Sequence, residues 1–177
     1  MPKSEAKLED ILNRTNDWLK FAETKNGAFV ALDCAIIFGL CRLFSSIESP
    51  SQYLMIYIYL GVLMLLCAVI VVFLSFIPKL TPPWGVKFPT KLNSINIFYF
   101  GDICSLTPRT YLDEYYKACN EQGDYTELDN QYSKQIVINS KIAFIKYSQF
   151  NIVTWFTISA LITPIGAWVL SLVKKLE

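Results

Sequence analysis

The feature that most constrains the fold is the stretch at residues 53–77, YLMIYIYLGVLMLLCAVIVVFLSFI. It contains no charged side chain and a single glycine. A helix of this length measures roughly 37 Å, enough to cross a hydrocarbon core of about 30 Å with some tilt. A helix on the surface of a soluble protein needs only one apolar face, whereas this stretch is apolar on every face. We therefore predict a transmembrane helix.

The composition indicates a small integral membrane protein with one polar module. Of the 177 residues, 53% are hydrophobic, and the net charge of +1 provides no field that would attract a nucleic acid polymer. The chain has no histidine, so it lacks the commonest general base and metal ligand, and we predict no metal site. Its five cysteines form no CxxC pair and are interpreted as small buried hydrophobes in a reducing compartment.

A second apolar stretch, residues 27–45, is just long enough to cross a bilayer. Asp33 lies inside it, and ionisable residues within membrane spans are costly and are functional candidates. Asp33 could pair with another group, line a pore, or sit protonated against a neighbouring helix. Arg42 lies near the end of the stretch, from which its side chain can reach the interface. We predict Asp33 and Arg42 as membrane or pore residues.

An amphipathic helix is predicted before this span, at residues 4–24, because apolar residues recur there at spacings of three and four with charges between them. Two interpretations stay open for it. The helix could lie on the membrane surface or make an oligomer contact, or it could pack on the polar module of its own chain. A polar turn at residues 46–52 joins the two spans as a hairpin, and Pro78 ends the second span.

The polar module opens with an irregular connector, in which TPPW occupies residues 81–84 and FPT residues 88–90. Residues 96–103, NIFYFGDI, are predicted to form either a strand or a buried helical turn. A helix then begins, with Thr107 as its N-cap and Pro108 at its first position, and is predicted to stop at Gly123.

The last helix begins at Asp124 or Thr126, and the sequence contains no helix breaker from there to Pro164. We therefore predict one long helix that leaves the polar module and enters the membrane at residues 152–173, with a kink at Pro164. Trp155 and Trp168 lie near the two ends of this span, as interfacial aromatic residues do.

These elements predict an all-α integral membrane protein. It would have a transmembrane hairpin, a third transmembrane helix continuous with a long cytoplasmic helix, and a small cytoplasmic helical module. The predicted divisions are an N-terminal amphipathic helix at 1–26, the hairpin at 27–78, the cytoplasmic module at 79–151 and the third transmembrane helix at 152–174.

The distribution of basic residues predicts the topology. The N-terminal segment carries five Lys or Arg residues and the 78–151 region carries eight, whereas the turn at 46–52 has none. The positive-inside rule then places the N-terminus and the 79–151 module in the cytoplasm of a multi-pass protein. A third crossing would place Lys174 and Lys175 on the outer side.

No catalytic motif is present, so we predict that the chain is not an enzyme. A small-ligand site is a better hypothesis, because aromatic faces can stack a base and cations can bind a phosphate. The alternative is that the aromatic residues form the core of the module. The residues concerned are Trp84, Phe98, Tyr99, Phe100, Tyr111, Tyr115 and Tyr116, with the cations Lys91, Arg109, Lys141 and Lys146.

Several short stretches occur in a recognisable order and spacing. They are TKNGAFVALDCA at 24–35, PKL at 78–80, NIFYFGDI at 96–103 and QIVINSKIAFIKYSQF at 135–150. In this order they resemble the transmembrane effector family of Pycsar-type bacterial anti-phage systems, over nearly the whole chain.

The resemblance implies a partner nucleotide cyclase that makes a cyclic nucleotide, typically a cyclic pyrimidine monophosphate, when phage infects. The effector would sense this second messenger as its activating ligand, with no other cofactor, and would impair the bacterial inner membrane. The positions that match the family's pattern are Asn96, Phe98, Phe100, Gly101, Lys141, Lys146 and Tyr147. Together with the cation Arg109 they are the predicted ligand-binding residues.

We further hypothesise a homo-oligomer that contacts membrane lipid and forms or opens a pore when the nucleotide binds. Two other functions remain open from the sequence. One is a constitutive small channel or holin-like membrane protein, and the other is a non-enzymatic scaffold subunit of a membrane complex.

Overall fold

The structure, a computed structural model, describes residues 3–48, 50–77, 86–89, 94–120 and 124–176. These residues form five helices and no strand, which confirms the all-α fold. The helices are α1 (Lys3–Ser45), α2 (Gln52–Phe76), α3 (Phe100–Ile103), α4 (Pro108–Cys119) and α5 (Glu127–Leu176). The predictions for Pro78, Trp84, Lys91 and Gly123 lie outside the described residues, as do the side chains of Lys174 and Lys175.

Helix α1 joins two segments that the sequence divided. The predicted amphipathic helix at 4–24 and the predicted span at 27–45 are one helix of 43 residues. No proline interrupts this region, and the one glycine at the junction, Gly27, costs only about 1 kcal/mol of helix propensity. A single glycine is too weak to end a helix that is packed on both sides of it.

Helix α2 begins and ends one residue before the predicted bounds of the most apolar stretch, 53–77. Ser51 caps its start, since its hydroxyl accepts a hydrogen bond from the Leu54 amide, and the helix ends at Phe76, two residues before Pro78. Among the residues that the structure describes, two helical segments are long and apolar enough to cross a membrane, Lys7–Ser45 and Gln52–Phe76. The third crossing, at residues 152–173, stays a prediction.

The segment 96–103 adopts the helical alternative. A turn at Ile97 and Phe98 leads into the short helix α3. The side chain of Asn96 accepts a hydrogen bond from the Phe98 amide at 3.0 Å, and Asp102 accepts one from the Asn96 amide at 2.9 Å. These two bonds fold the segment back on itself, which a strand would not allow.

Helix α4 confirms the predicted start but ends earlier than predicted. Thr107 caps it by accepting a hydrogen bond from the Thr110 amide, and Pro108 is its first residue. The helix ends at Cys119 because Asn120 takes the left-handed conformation, with φ 52° and ψ 32°. Asparagine tolerates this conformation better than most residues and can therefore end a helix as glycine does.

Helix α5 confirms the prediction of one long final helix. Thr126 and Asp129 cap its start reciprocally, since each side chain accepts a hydrogen bond from the other residue's amide. The helix continues through Pro164 to Leu176. The kink at Pro164 stays a prediction.

The chain divides into two compact units, and α1 and α5 each contribute residues to both. Unit 1 comprises Met1–Glu23 and Pro78–Tyr147. Its buried core joins the first turns of α1 to α3, α4 and the beginning of α5, which supports the interpretation that the N-terminal helix packs on the module. The core residues are Leu8, Ile11, Ile97, Ile103, Leu106, Tyr111, Leu112, Tyr115, Ile136 and Val137.

Unit 2 comprises Thr24–Ile77 and Ser148–Glu177. Its buried contacts join Ala68 and Val72 of α2 to Val153 of α5. Helix α2 comes so close to α5 at Gly61 that an added Cβ would lie 3.2 Å from the Ala160 carbonyl oxygen. Large apolar side chains on the rest of α2 face outward, as they do in a helix that contacts lipid.

Candidate functional site

Four aromatic side chains from three helices and the turn before α3 meet in unit 1. We call Trp18, Tyr99, Phe100 and Tyr147 the aromatic cluster. The rings of Phe100 and Tyr147 are stacked, with centroids 5.0 Å apart, and Trp18 lies 5.6 Å from Phe100. The structure thus brings together Phe100 and Tyr147, two predicted ligand residues. Phe100 is only 6% exposed, so its ring already packs against its neighbours.

Asn96 and Gly101, also predicted ligand residues, shape the turn that carries Phe98. Asn96 makes the hydrogen bond that closes the turn. Gly101 lies beneath the Tyr99 ring, where an added Cβ would be 2.7 Å from the ring carbon Cζ. A side chain at position 101 would therefore displace Tyr99 from its place in the aromatic cluster.

The three described cations of the predicted ligand set do not converge. Lys146 is 5% exposed and pairs with Glu23 at 2.8 Å. The Lys141 ammonium lies 5.6 Å from the centroid of the Phe88 ring. Arg109 is exposed on the first turn of α4. Lys141 and Lys146 thus have different neighbours, although both lie on α5, and Arg109 lies on α4.

A groove in the same unit is lined by two cations that are not among the ligand-binding residues predicted from the sequence. The α1–α4 groove has a volume of about 410 Å³ and is lined by α1, the turn before α3, and α4. The Arg14 guanidinium carbon lies 5.6 Å from the centroid of the Phe98 ring, which is 49% exposed. The lining residues are Lys7, Asp10, Ile11, Arg14, Ile97, Phe98, Tyr115, Ala118 and Cys119.

The residues predicted from the sequence did not include Lys7 and Arg14, because residues 4–24 were interpreted as a membrane-surface, oligomer-contact or packing helix and not as a source of ligand-binding residues. One signal was available. The two cations are seven residues apart, and that spacing places them on the same side of a helix.

The titratable groups around the site do not indicate catalysis. Burial raises the pKa of the Cys104 thiol to about 11, so this cysteine is protonated at neutral pH and is a poor nucleophile. Burial also raises the pKa of Tyr147 and of Tyr111. Within the described ranges, no three His, Cys, Asp or Glu residues are grouped so that they could hold a metal ion.

In unit 2, Asp33 contacts a helix rather than an opposite charge. It is 0% exposed and accepts a hydrogen bond from the Thr157 hydroxyl at 2.8 Å. Two turns earlier on α1, the Asn26 amide donates to the Ser75 hydroxyl at 2.7 Å. Two side-chain oxygens, Oδ2 of Asp33 and Oδ1 of Asn26, have no hydrogen-bond partner among the described residues.

Arg42 is exposed in the last turn of α1. The pore role of Asp33 and Arg42 stays a prediction.

The two units define a class of protein, a helical membrane protein whose polar unit carries a cation-lined groove. The comparisons with known proteins specify the family. The family described as the Pycsar effector protein domain matches residues 7–173, and the chain therefore belongs to that family. This confirms the resemblance noted in the sequence. No curated protein and no solved structure matches the chain.

Proposed function

We propose that this protein is a membrane effector of anti-phage defence that senses a cyclic nucleotide through unit 1 and disrupts the inner membrane through unit 2. The observation that carries the proposal is the family match, because residues 7–173 include nearly all of both units. The proposed ligand is a cyclic pyrimidine monophosphate made by a partner cyclase.

The chemistry of unit 1 supports a sensor. Aromatic rings and cations suit a nucleotide, since every base has a face that can stack and a phosphate attracts Arg and Lys. The α1–α4 groove, at about 410 Å³, lies within the range of roughly 300–1,000 Å³ that is typical of small-ligand sites.

The composition of unit 2 supports an effect on the membrane. Helix α2 carries no charged residue, and its outward side chains are large and apolar. We propose that the protein is a multi-pass homo-oligomer in contact with lipid. The N-terminus and residues 79–151 would be cytoplasmic, and residues 152–173 would form a third crossing.

Helix continuity offers a physical route from ligand to membrane. Helices α1 and α5 each pass from residues of unit 1 to residues of unit 2 without a break. A nucleotide shifts helix packing only if it binds one packing arrangement more tightly than the other. The requirement is met if the ligand-binding residues on α1 are arranged for the nucleotide in only one of the two packing arrangements.

The first test is the thermal stability of the detergent-purified full-length protein with cyclic CMP, cyclic UMP and cyclic dinucleotides. A ligand present at 100 times its dissociation constant adds about 2.7 kcal/mol to the stability of the folded state. We expect one nucleotide to raise the melting temperature, while linear CMP and UMP serve as matched controls. If no nucleotide raises it in folded protein, the sensor function is wrong.

The second test addresses the membrane. We expect the activating nucleotide to release a dye from liposomes that contain the protein, and to release none from protein-free liposomes. Release without any nucleotide would favour the constitutive channel instead. In the same assay, full release by the Asp33→Ala variant would contradict a pore role for Asp33.

A further inference from the structure

We propose that the α1–α4 groove is the binding site for a single cyclic mononucleotide, whose phosphate is held by Lys7 and Arg14 and whose base stacks on Phe98. This inference rests on the proposed function and locates its ligand. It differs from the site predicted from the sequence, because its cations lie on α1 rather than on α4 and α5.

The charge of the groove fits one phosphodiester. Lys7 and Arg14 contribute two positive charges to its lining and Asp10 contributes one negative charge. The net charge of the lining is therefore +1, which is opposite and equal to the single negative charge of a cyclic monophosphate. An arginine guanidinium can donate two parallel hydrogen bonds to a phosphate, whereas a lysine acts as a point charge.

The aromatic residues of the groove divide into a floor and an accessible ring. Tyr115 is 1% exposed and forms part of the floor, whereas Phe98 is 49% exposed. The Arg14 guanidinium already lies near the Phe98 ring, at 5.6 Å from its centroid. Because the guanidinium lies over this ring, a base that stacks on Phe98 would take its place or use the opposite face, and Arg14 would be beside the base and could turn to the phosphate.

The turn that carries Phe98 is held in place before any ligand binds. Asn96 accepts a hydrogen bond from the Phe98 amide, and Asp102 accepts one from the Asn96 amide. A ring that is already positioned loses less conformational freedom when a ligand binds. Asn96 is thus a positioning residue for the groove, which gives this predicted ligand residue a role without direct contact.

The predicted cation Lys146 is less suited to the phosphate. Its ammonium pairs with Glu23 at 2.8 Å and its side chain is buried. Binding a phosphate there would require this ion pair, which holds a buried ammonium, to break. Lys7 and Arg14 are both exposed and require no such step.

The test is nucleotide affinity, measured by titration calorimetry on full-length protein in detergent with cyclic UMP and cyclic CMP. Arg14→Ala should weaken binding by about 10- to 100-fold, because a hydrogen bond to a charged group is lost. Phe98→Ala should weaken it by about 5- to 100-fold through the loss of base stacking. Phe98→Tyr keeps the aromatic face and should bind nearly as tightly as the wild type.

Lys134→Ala is the matched control, since it removes one positive charge from an exposed position of α5 in the same unit, outside the groove. A melting curve without ligand verifies that each variant is folded. If the wild type binds and both Arg14→Ala and Phe98→Ala bind equally well, the groove is not the site, although the proposed function stands. If the wild type binds no nucleotide, the proposed function fails and the groove assignment fails with it.

Discussion

Two buried aspartates show how differently the two units accommodate a polar group. Asp129 in unit 1 is 1% exposed, and its Oδ2 atom accepts hydrogen bonds from the Tyr116 hydroxyl and from the amide and hydroxyl of Thr126, at 2.7–2.9 Å. Asp33 in unit 2 is 0% exposed and accepts one, from Thr157. The first lies at the beginning of a helix and the second lies in the middle of one.

The position in the helix explains the difference. The first amides of a helix have no partner within the helix, so a carboxylate there finds donors and a favourable dipole. In the middle of a helix every amide is already bonded, and a buried carboxyl depends on side chains of other helices. Asp129 is therefore a structural anchor, whereas Asp33 is a polar contact between α1 and α5 in an apolar unit, where ionisable residues usually have a function.

The pKa of Asp129 reflects its donors. Burial by itself would raise the pKa, but the hydrogen bonds from Tyr116 and Thr126 outweigh it and lower the pKa below its usual value of 3.8. The carboxylate is thus ionised at neutral pH and stabilises the folded state in that form.

Replacing Asp129 should have the largest effect on stability. Asp129→Ala removes the cap of α5 and leaves the Tyr116 hydroxyl without its acceptor, which should cost about 2–3 kcal/mol of the free energy of unfolding. Denaturant titration of the detergent-purified protein measures this cost. Glu127→Ala, an exposed acidic residue two positions earlier, is the control and should cost less than about 0.5 kcal/mol. Equal costs for the two variants would mean that the hydrogen bonds of Asp129 contribute nothing.

The stability that Asp129 contributes should depend on pH, since it requires an ionised carboxylate. Because the folded-state pKa of Asp129 is lowered, its stabilisation is present above the unfolded-state pKa of 3.8 and is lost as pH falls through the folded-state value. Asp129→Asn has no carboxyl group to titrate. We expect the difference in melting temperature between wild type and Asp129→Asn to be constant from pH 7 to pH 5 and to shrink as the pH falls below about 4. A constant difference down to pH 2 would contradict an ionised Asp129.

The third prediction tests the single contact of Asp33. Thr157→Val keeps the shape of the side chain but removes the donor, and should destabilise the protein by about 1–2 kcal/mol. The double variant Asp33→Leu with Thr157→Val removes both polar partners and should recover most of that loss. A double-mutant cycle in detergent measures the coupling. Additive effects would show that the two side chains act independently.

The smallest effect is expected at Tyr111. This residue is buried, but its hydroxyl lies 3.4 Å from the Ile97 carbonyl oxygen, which is long for a hydrogen bond. Tyr111→Phe should change the free energy of unfolding by less than about 0.5 kcal/mol, because little is lost with the hydroxyl. A loss above 1 kcal/mol would mean that even one long hydrogen bond matters in unit 1, and the contrast between the two aspartates would weaken.

Local patterns in the sequence predicted the elements that depend on neighbouring residues. The run without charges at 53–77 predicted α2, and the pair Thr107 and Pro108 predicted the start of α4. The absence of a breaker between Thr126 and Pro164 predicted that α5 is one long helix. Each of these signals depends on helix caps, proline geometry or hydrophobicity, which act within a few residues. The family resemblance, confirmed over residues 7–173, also depended on short motifs in order.

Only the tertiary structure decided which side chains meet. It continued α1 through Gly27, placed Trp18 against Phe100, and joined Arg14 to Phe98 in a groove with Tyr115. These residues are separated by tens of positions in the chain, and the packing of apolar faces that brings them together depends on all the helices at once. The sequence by itself thus determined that this is a helical protein of the Pycsar effector family with an apolar span, while the packing determined where its polar groups converge.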